Sequence, residues 1–317
     1  MRHRLAVLLC TAMLCALSAC KPQTGTEPSP ASAGATKPAE AVRLLTRHLQ
    51  DNDLQAFARD AAPPALQPKL EQAWREGRTR WPLDELPFDE RLPQLLSALS
   101  APGAEKKLQQ VFDRQFSGAH AELKAAAMSL GLFGVQYIRS EGDYSEDERE
   151  HYAQFIRAIS EWGLDAPLGD PQRARRAIPQ LTMAARQTRL ASEADFRNAG
   201  MQESLRRLGP FMATLKQSLA TYGLRLDDSL SGLEATLQEQ TGDKARVRLR
   251  YRLGETEIDT VVGVERHGGR WYISDYLRHA EAAAALAGGT SAPTSPPVGA
   301  EAPPTKAPSP GSKPTSP

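Results

Sequence analysis

Residues 244–273 read KARVRLRYRLGETEIDTVVGVERHGGRWYI. Lys244, Arg246, Arg248, Arg250 and Arg252 alternate with Ala245, Val247, Leu249, Tyr251 and Leu253. A period of two marks a strand with one apolar and one basic face. Gly254-Glu255 suits a two-residue type II′ turn with glycine first. That turn pairs Leu253 with Thr256 and thereby fixes every later pair. Tyr251 then faces Ile258 and Val247 faces Val262, while Arg252 meets Glu257, Arg250 meets Asp259 and Lys244 meets Glu265. A slip by one residue destroys both sets of matches. His267-Gly268-Gly269-Arg270 reverses the chain again, and Trp271 and Ile273 suit the core face of a third strand. Ser274 or Asp275 then caps a last helix, Leu277 to Ala287.

Upstream the period is helical. Val42, Leu45 and Leu49 share a face, and helices are expected over 41–50, 53–60, 66–75 and 104–116. Pro82, Pro87 and Pro93 make 81–93 a connection. Ser145 and Glu148 form a capping box, which accounts for the acids of 141–150 better than a calcium loop does. Asp170-Pro171 starts another helix, and 202–222 carries a clean apolar stripe interrupted only at Gly209-Pro210. Residues 125–138, AAAMSLGLFGVQYI, hold no charge, and an all-round apolar helix of this length reads as a core helix, with a membrane-inserting segment as the alternative. Gly131 and Gly134 would let a neighbouring helix approach closely. The fold class expected is mainly α with a small C-terminal antiparallel β-meander (α+β).

The first twenty residues carry a different signal. A basic start at Arg2, His3 and Arg4 precedes an uncharged run, Leu5 to Leu17, too short to span a bilayer. Leu17-Ser18-Ala19-Cys20 resembles the lipobox of bacterial lipoprotein precursors: a branched apolar residue, two small residues and the cysteine. The resemblance covers these twenty residues. It implies cleavage before Cys20 and lipidation of its thiol, with two or three acyl chains giving stable anchoring. Lys21, where an aspartate would favour the inner membrane, points to the outer membrane of a Gram-negative cell. Cys10 and Cys15 leave with the signal, so no thiol remains for a disulfide or a metal. The chain's 39 basic and 38 acidic residues become 37 against 38 once Arg2 and Arg4 are removed. That balance argues against a nucleic-acid partner.

The expected organisation is a signal peptide (1–19), a lipidated disordered tether (20–38), a helical region (39–240), a three-stranded meander plus helix packed on it (241–287), and a disordered Pro-rich tail (288–317). The R-W-Y-I ending after a glycine turn resembles the last strands of cone-shaped α+β pocket domains such as the nuclear transport factor 2-like group. That likeness covers about 35 residues and implies further strands closing a ligand pocket.

No catalytic motif emerges. G-x-S-x-G, P-loop and dinucleotide fingerprints are absent, and no histidine has metal-ligand spacing, so neither a cofactor nor a metal is expected. His151 reads as a surface helical histidine. Trp74, Trp81 and Trp162 read as packing at helix ends. In the strand register only Arg246 and Arg248 lack an acidic partner, opposite Gly263 and Val261, which leaves them as the candidate anion-binding residues. A solvated charged sheet face is the simpler reading. The function expected is a binding or assembly accessory held to the membrane through lipidated Cys20, facing the periplasm. Its partner is an envelope protein, peptidoglycan or a small ligand. An envelope hydrolase with a dispersed active site, or a small-ligand pocket domain, is the alternative.

Overall fold

A computed structural model describes residues 34–85, 91–140 and 144–288 of the chain. The signal segment, Cys20 and the Pro-rich tail from residue 289 lie outside the described residues. Among the described residues, twelve helices precede and flank one antiparallel sheet. They are α1 Pro38–Gln50, α2 Leu54–Ala61, α3 Gln67–Arg75, a 3-10 turn Leu83–Glu85, α4 Leu92–Ser100, α5 Ala104–Gln115, α6 His120–Ser140, α7 Glu146–Asp165, α8 Pro171–Thr188, α9 Glu193–Ala199, α10 Met201–Thr221 and α11 Leu226–Ser231. Strands β1 Glu234–Thr241, β2 Lys244–Leu253, β3 Thr256–His267 and β4 Arg270–Ile273 follow, and α12 Ser274–Ala285 closes the chain.

The β2–β3 register agrees with the sequence at every pair, from Leu253 with Thr256 to Lys244 with Glu265. Gly254 has φ +61, which fits the first position of the II′ turn. Ala245, Val247 and Leu249 are buried and the arginines between them exposed. The expected three-stranded meander is corrected to four strands in the order β1-β2-β3-β4. β1 was hidden because its residues, EATLQEQT, bury only Ala235 and so give no alternation. It is an edge strand, polar and bulged between Leu237 and Glu239, as edge strands that resist further pairing tend to be. Gly242-Asp243, with Gly242 at φ +59, is a second glycine-first turn of the same kind.

The inner sheet face packs on α1, whose Val42 and Leu45 share one buried cluster with Val247, Leu249, Val264 and Trp271. The N-terminal segment adds a backbone bond, Trp271 N–H to the Ala35 carbonyl at 2.9 Å. α1 therefore covers the inner face of the sheet. Trp74 and Trp81 are buried in the same core, and Trp162 is partly buried against Leu253 and Ile258. These tryptophans pack rather than line a groove. α10 runs unbroken through Pro210. Gly209 earns its place there by contact: a Cβ would lie 2.5 Å from the Asn52 carbonyl oxygen.

The uncharged helix is the largest departure from expectation. α6 is not a core helix. Met128, Leu130, Leu132, Phe133 and Tyr137 are all exposed, with Leu132 and Phe133 at 69% and 68%, and Ile138 is its one buried residue. Hydropathy reports a residue's preference and says nothing of how many neighbours reach it. α6 has one close neighbour, α7. The seam between them uses small residues as expected: a Cβ on Gly131 would meet Ser160 Oγ at 2.4 Å, and one on Gly163 would meet Ala127 at 3.0 Å. Ser160 Oγ also donates to the Ala127 carbonyl at 2.8 Å. α7 in turn packs its other side on β3, with Ala158 beside Ile258 and Leu253. α6 thus sits outermost with the rest of its apolar surface turned to solvent. No helix among the described residues is long and apolar enough to cross a membrane.

Candidate functional site

The basic sheet face comes first, because the sequence singled it out. Arg246 and Arg248 do have acidic partners, which corrects the expectation that they stand alone. Arg248 makes a two-pronged contact with Asp259, its Nε donating at 2.7 Å. Arg246 reaches Asp147 at the start of α7 at 3.0 Å and lies 3.9 Å from Glu239 on β1. The register was right, but an arginine is long enough to reach diagonally, and in a twisted pair the diagonal acid is nearer to the guanidinium. Arg250 likewise takes Glu257 at 2.9 Å, and Arg252 turns to Glu255 at 3.3 Å. Asp259 is held below the usual carboxylate range, first by its bonds to Arg248. The face is therefore neutralised by its own carboxylates, and a bound anion would have to displace them.

A buried polar cluster forms where α7, α12 and the 3-10 turn meet. Ser145 caps α7: its hydroxyl accepts from Glu148 N–H at 3.2 Å, and Glu148 Oε2 accepts from Ser145 N–H at 2.9 Å. The capping box of the sequence is thus present. Its glutamate does more than cap. Glu148 Oε2 also accepts from Arg278 Nη2 at 2.7 Å, and Ser145 Oγ donates to Asp275 at 3.1 Å. His279 Nδ1 lies 2.9 and 3.0 Å from the two Glu85 oxygens. Its Nε2 points toward Glu148 Oε1 at 3.9 Å. The side chains of Glu85 and Glu148 are only 3% and 7% exposed.

Burial sets the electrostatics of this cluster. Desolvation raises Glu85 above its ordinary value and pushes Glu148 up to about 7, with the Asp275 charge adding to the effect on Glu148. The hydrogen bond to Glu85 raises His279, against the opposing effect of its own burial. Tyr152 and Tyr276 lie close by, and burial together with the neighbouring carboxylates keeps both phenols protonated.

Further along α7, His151 Nε2 lies 2.8 Å from the Tyr251 hydroxyl, and its ring stacks on Tyr152. It is half-buried rather than a surface histidine, and desolvation lowers it to about 4. The sign follows. Folded His151 resists a proton that the unfolded chain accepts at its ordinary 6.5, so stability is full above that value and falls as pH drops toward 4. His151→Gln is expected to flatten the stability–pH curve over that window by on the order of 2 kcal/mol. Urea melts of both proteins from pH 7 to 4 measure it, and parallel curves would refute the assignment.

Neither of the best-defined clefts touches these groups. One is an apolar void of about 10 Å3 beneath Leu54, Leu208 and Phe211. The other, about 300 Å3, lies at the surface beside Arg173, Arg176 and Ser218. Arg173 there is already engaged by Asp170. Sequence reading missed the Glu85–Glu148–His279 cluster because its members come from three distant segments, up to 194 residues apart. The capping box was the one visible trace. Comparison of the chain with family models, with curated proteins and with solved structures found no match.

Proposed function

We propose that the chain is a lipid-anchored protein of the bacterial cell envelope that acts as a binding or assembly accessory. In this reading Cys20 carries the lipid, in the outer membrane, and the folded part faces the periplasm. The observation that carries the binding role is the exposed uncharged face of α6, from Met128 to Tyr137. Monomeric soluble proteins rarely leave large apolar side chains clustered at the surface, and such clusters mark interaction sites. The fourteen residues from Cys20 to Gly34 span at most roughly 50 Å.

The chemistry of the face selects among partners. Peptidoglycan offers sugar hydroxyls and charged peptides, which gain little from Leu132 and Phe133. A small ligand needs a concave site, and α6 is the outer, convex member of its hairpin. An apolar groove or helix of another envelope protein fits best, in the manner of helix-in-groove recognition. A hydrolase reading would rest on Glu148 and His279. Those groups are engaged with Ser145, Arg278 and Glu85, and neither of the two best-defined clefts is lined by them.

Two experiments test the proposal in its two parts. Cys20→Ala is expected to abolish incorporation of a fatty-acid analogue in growing cells, and persistent labelling would remove the anchor. A photo-crosslinking residue at Leu132, irradiated in intact cells, is expected to capture one envelope protein.

A further inference from the structure

Glu85, Glu148 and His279 each offer one donor atom, and these atoms all lie within 4.8 Å of one another. The structure assigns these three side chains as the donor set of a divalent transition-metal site, for which Zn2+ is the fitting ion.

Glu148 carries an orphaned oxygen. Glu148 Oε1 is buried and has no hydrogen-bond partner, in a side chain that is 93% removed from solvent by its 7% exposure. Its sister oxygen is fully used by the Ser145 amide and Arg278. Buried carboxylate oxygens are normally satisfied, so a lone one aimed at His279 Nε2 marks a place for a cation.

The charge of the cluster also favours a cation. Glu85, Glu148 and Asp275 bring three carboxylates, and Arg278 offsets one of them, lying 2.7 Å from Glu148 and 3.6 Å from Asp275. With His279 neutral, as a metal-bound imidazole is, a divalent cation would offset the other two. The donor types then choose the ion. One imidazole with carboxylates suits a borderline metal such as Zn2+, whereas Ca2+ takes six or more oxygens and Mg2+ retains its waters.

Geometry and support complete the case. Zn2+ holds nitrogen and oxygen at about 2.0–2.2 Å, so its donors sit roughly 3.5 Å apart. One ion takes one ring nitrogen, so Glu85, now bonded to His279 Nδ1, has to release it and turn to join Glu148 Oε1 at the ion beside Nε2. Arg278 and the Ser145 amide already fix Glu148, as groups behind a metal ligand do. The three donors stand on the 3-10 turn, α7 and α12, so the ion would fasten the α6–α7 hairpin to the body of the molecule. The site does not depend on the membrane anchor or on the α6 partner.

Titration calorimetry of the purified protein, stripped with EDTA and titrated with ZnCl2, tests the assignment. The expected result is one equivalent bound, with affinity at least ~10-fold weaker in Glu148→Gln and in His279→Gln and unchanged in Glu150→Gln. Circular dichroism checks that each variant is folded. X-ray absorption on the Zn2+-loaded wild type gives a reading that needs no variant. It is expected to show nitrogen and oxygen neighbours with a single imidazole. Absence of binding, equal affinity in folded Glu148→Gln, or a shell containing sulfur or several imidazoles would each overturn the assignment.

Discussion

Leu132→Asp combined with Phe133→Asp is expected to leave the melting temperature within a few degrees of wild type while abolishing capture of the partner. Both side chains are more than two-thirds exposed, and exposed substitutions ordinarily change stability by about 0.5 kcal/mol or less. The seam that holds α6 to α7 runs through Ala127, Gly131 and Gly134, and neither substitution touches it. A buried helix would behave in the opposite way, since two carboxylates forced into a core cost several kcal/mol. Thermal melts of the double variant therefore separate a binding face from a core face. A collapse of the melting temperature would show that α6 is packed.

Trp74→Ala is expected to be the most damaging single change in the folded part. Trp74 is completely buried and lies against Phe196, with ring centroids 6.2 Å apart. Its indole N–H donates to the Phe196 carbonyl at 3.0 Å, and the Arg80 guanidinium lies 5.1 Å from its ring centroid. Truncation removes the ring, opens a cavity and takes one hydrogen bond from that carbonyl, which keeps those from the Gly200 amide and Ser204 Oγ. The expected loss is about 3–5 kcal/mol, a large share of the roughly 5–15 kcal/mol that stabilises a domain. Urea unfolding measures it. A loss under about 1 kcal/mol would mean that Trp74 is not packed in the core.

The sheet was legible wherever two signals agreed. In β2 and β3 the alternation of Val247 with Arg248, the glycine turn and the cross-strand charges all required one register. β1 carried no alternation because its two faces are almost equally exposed, although Gly242-Asp243 announced its turn. The pairing of the arginines was legible in direction but not in partner, since Arg248 and Arg250 each select the acid two positions before the residue directly opposite, Val261 and Asp259 respectively. α6 was found at the right place and given the wrong surroundings. An uncharged sequence fixes what a helix would prefer to touch, and only tertiary structure fixes what it does touch. The Glu85–Glu148–His279 cluster was beyond reach for the same reason. Glu148 was visible as a cap, but nothing local to residues 85 or 279 points to residue 148.

The central claim is that α6 presents a protein-binding face in the envelope. Photo-crosslinking from Leu132 in intact cells, beside a control position at Arg252 on the exposed sheet face, tests it most directly. The account predicts one adduct of discrete mass from Leu132, absent from Arg252 and lost when Phe133→Asp is added. No adduct from Leu132, adducts to lipid alone, an adduct at twice the mass of the chain, or the same adducts from both positions would contradict it.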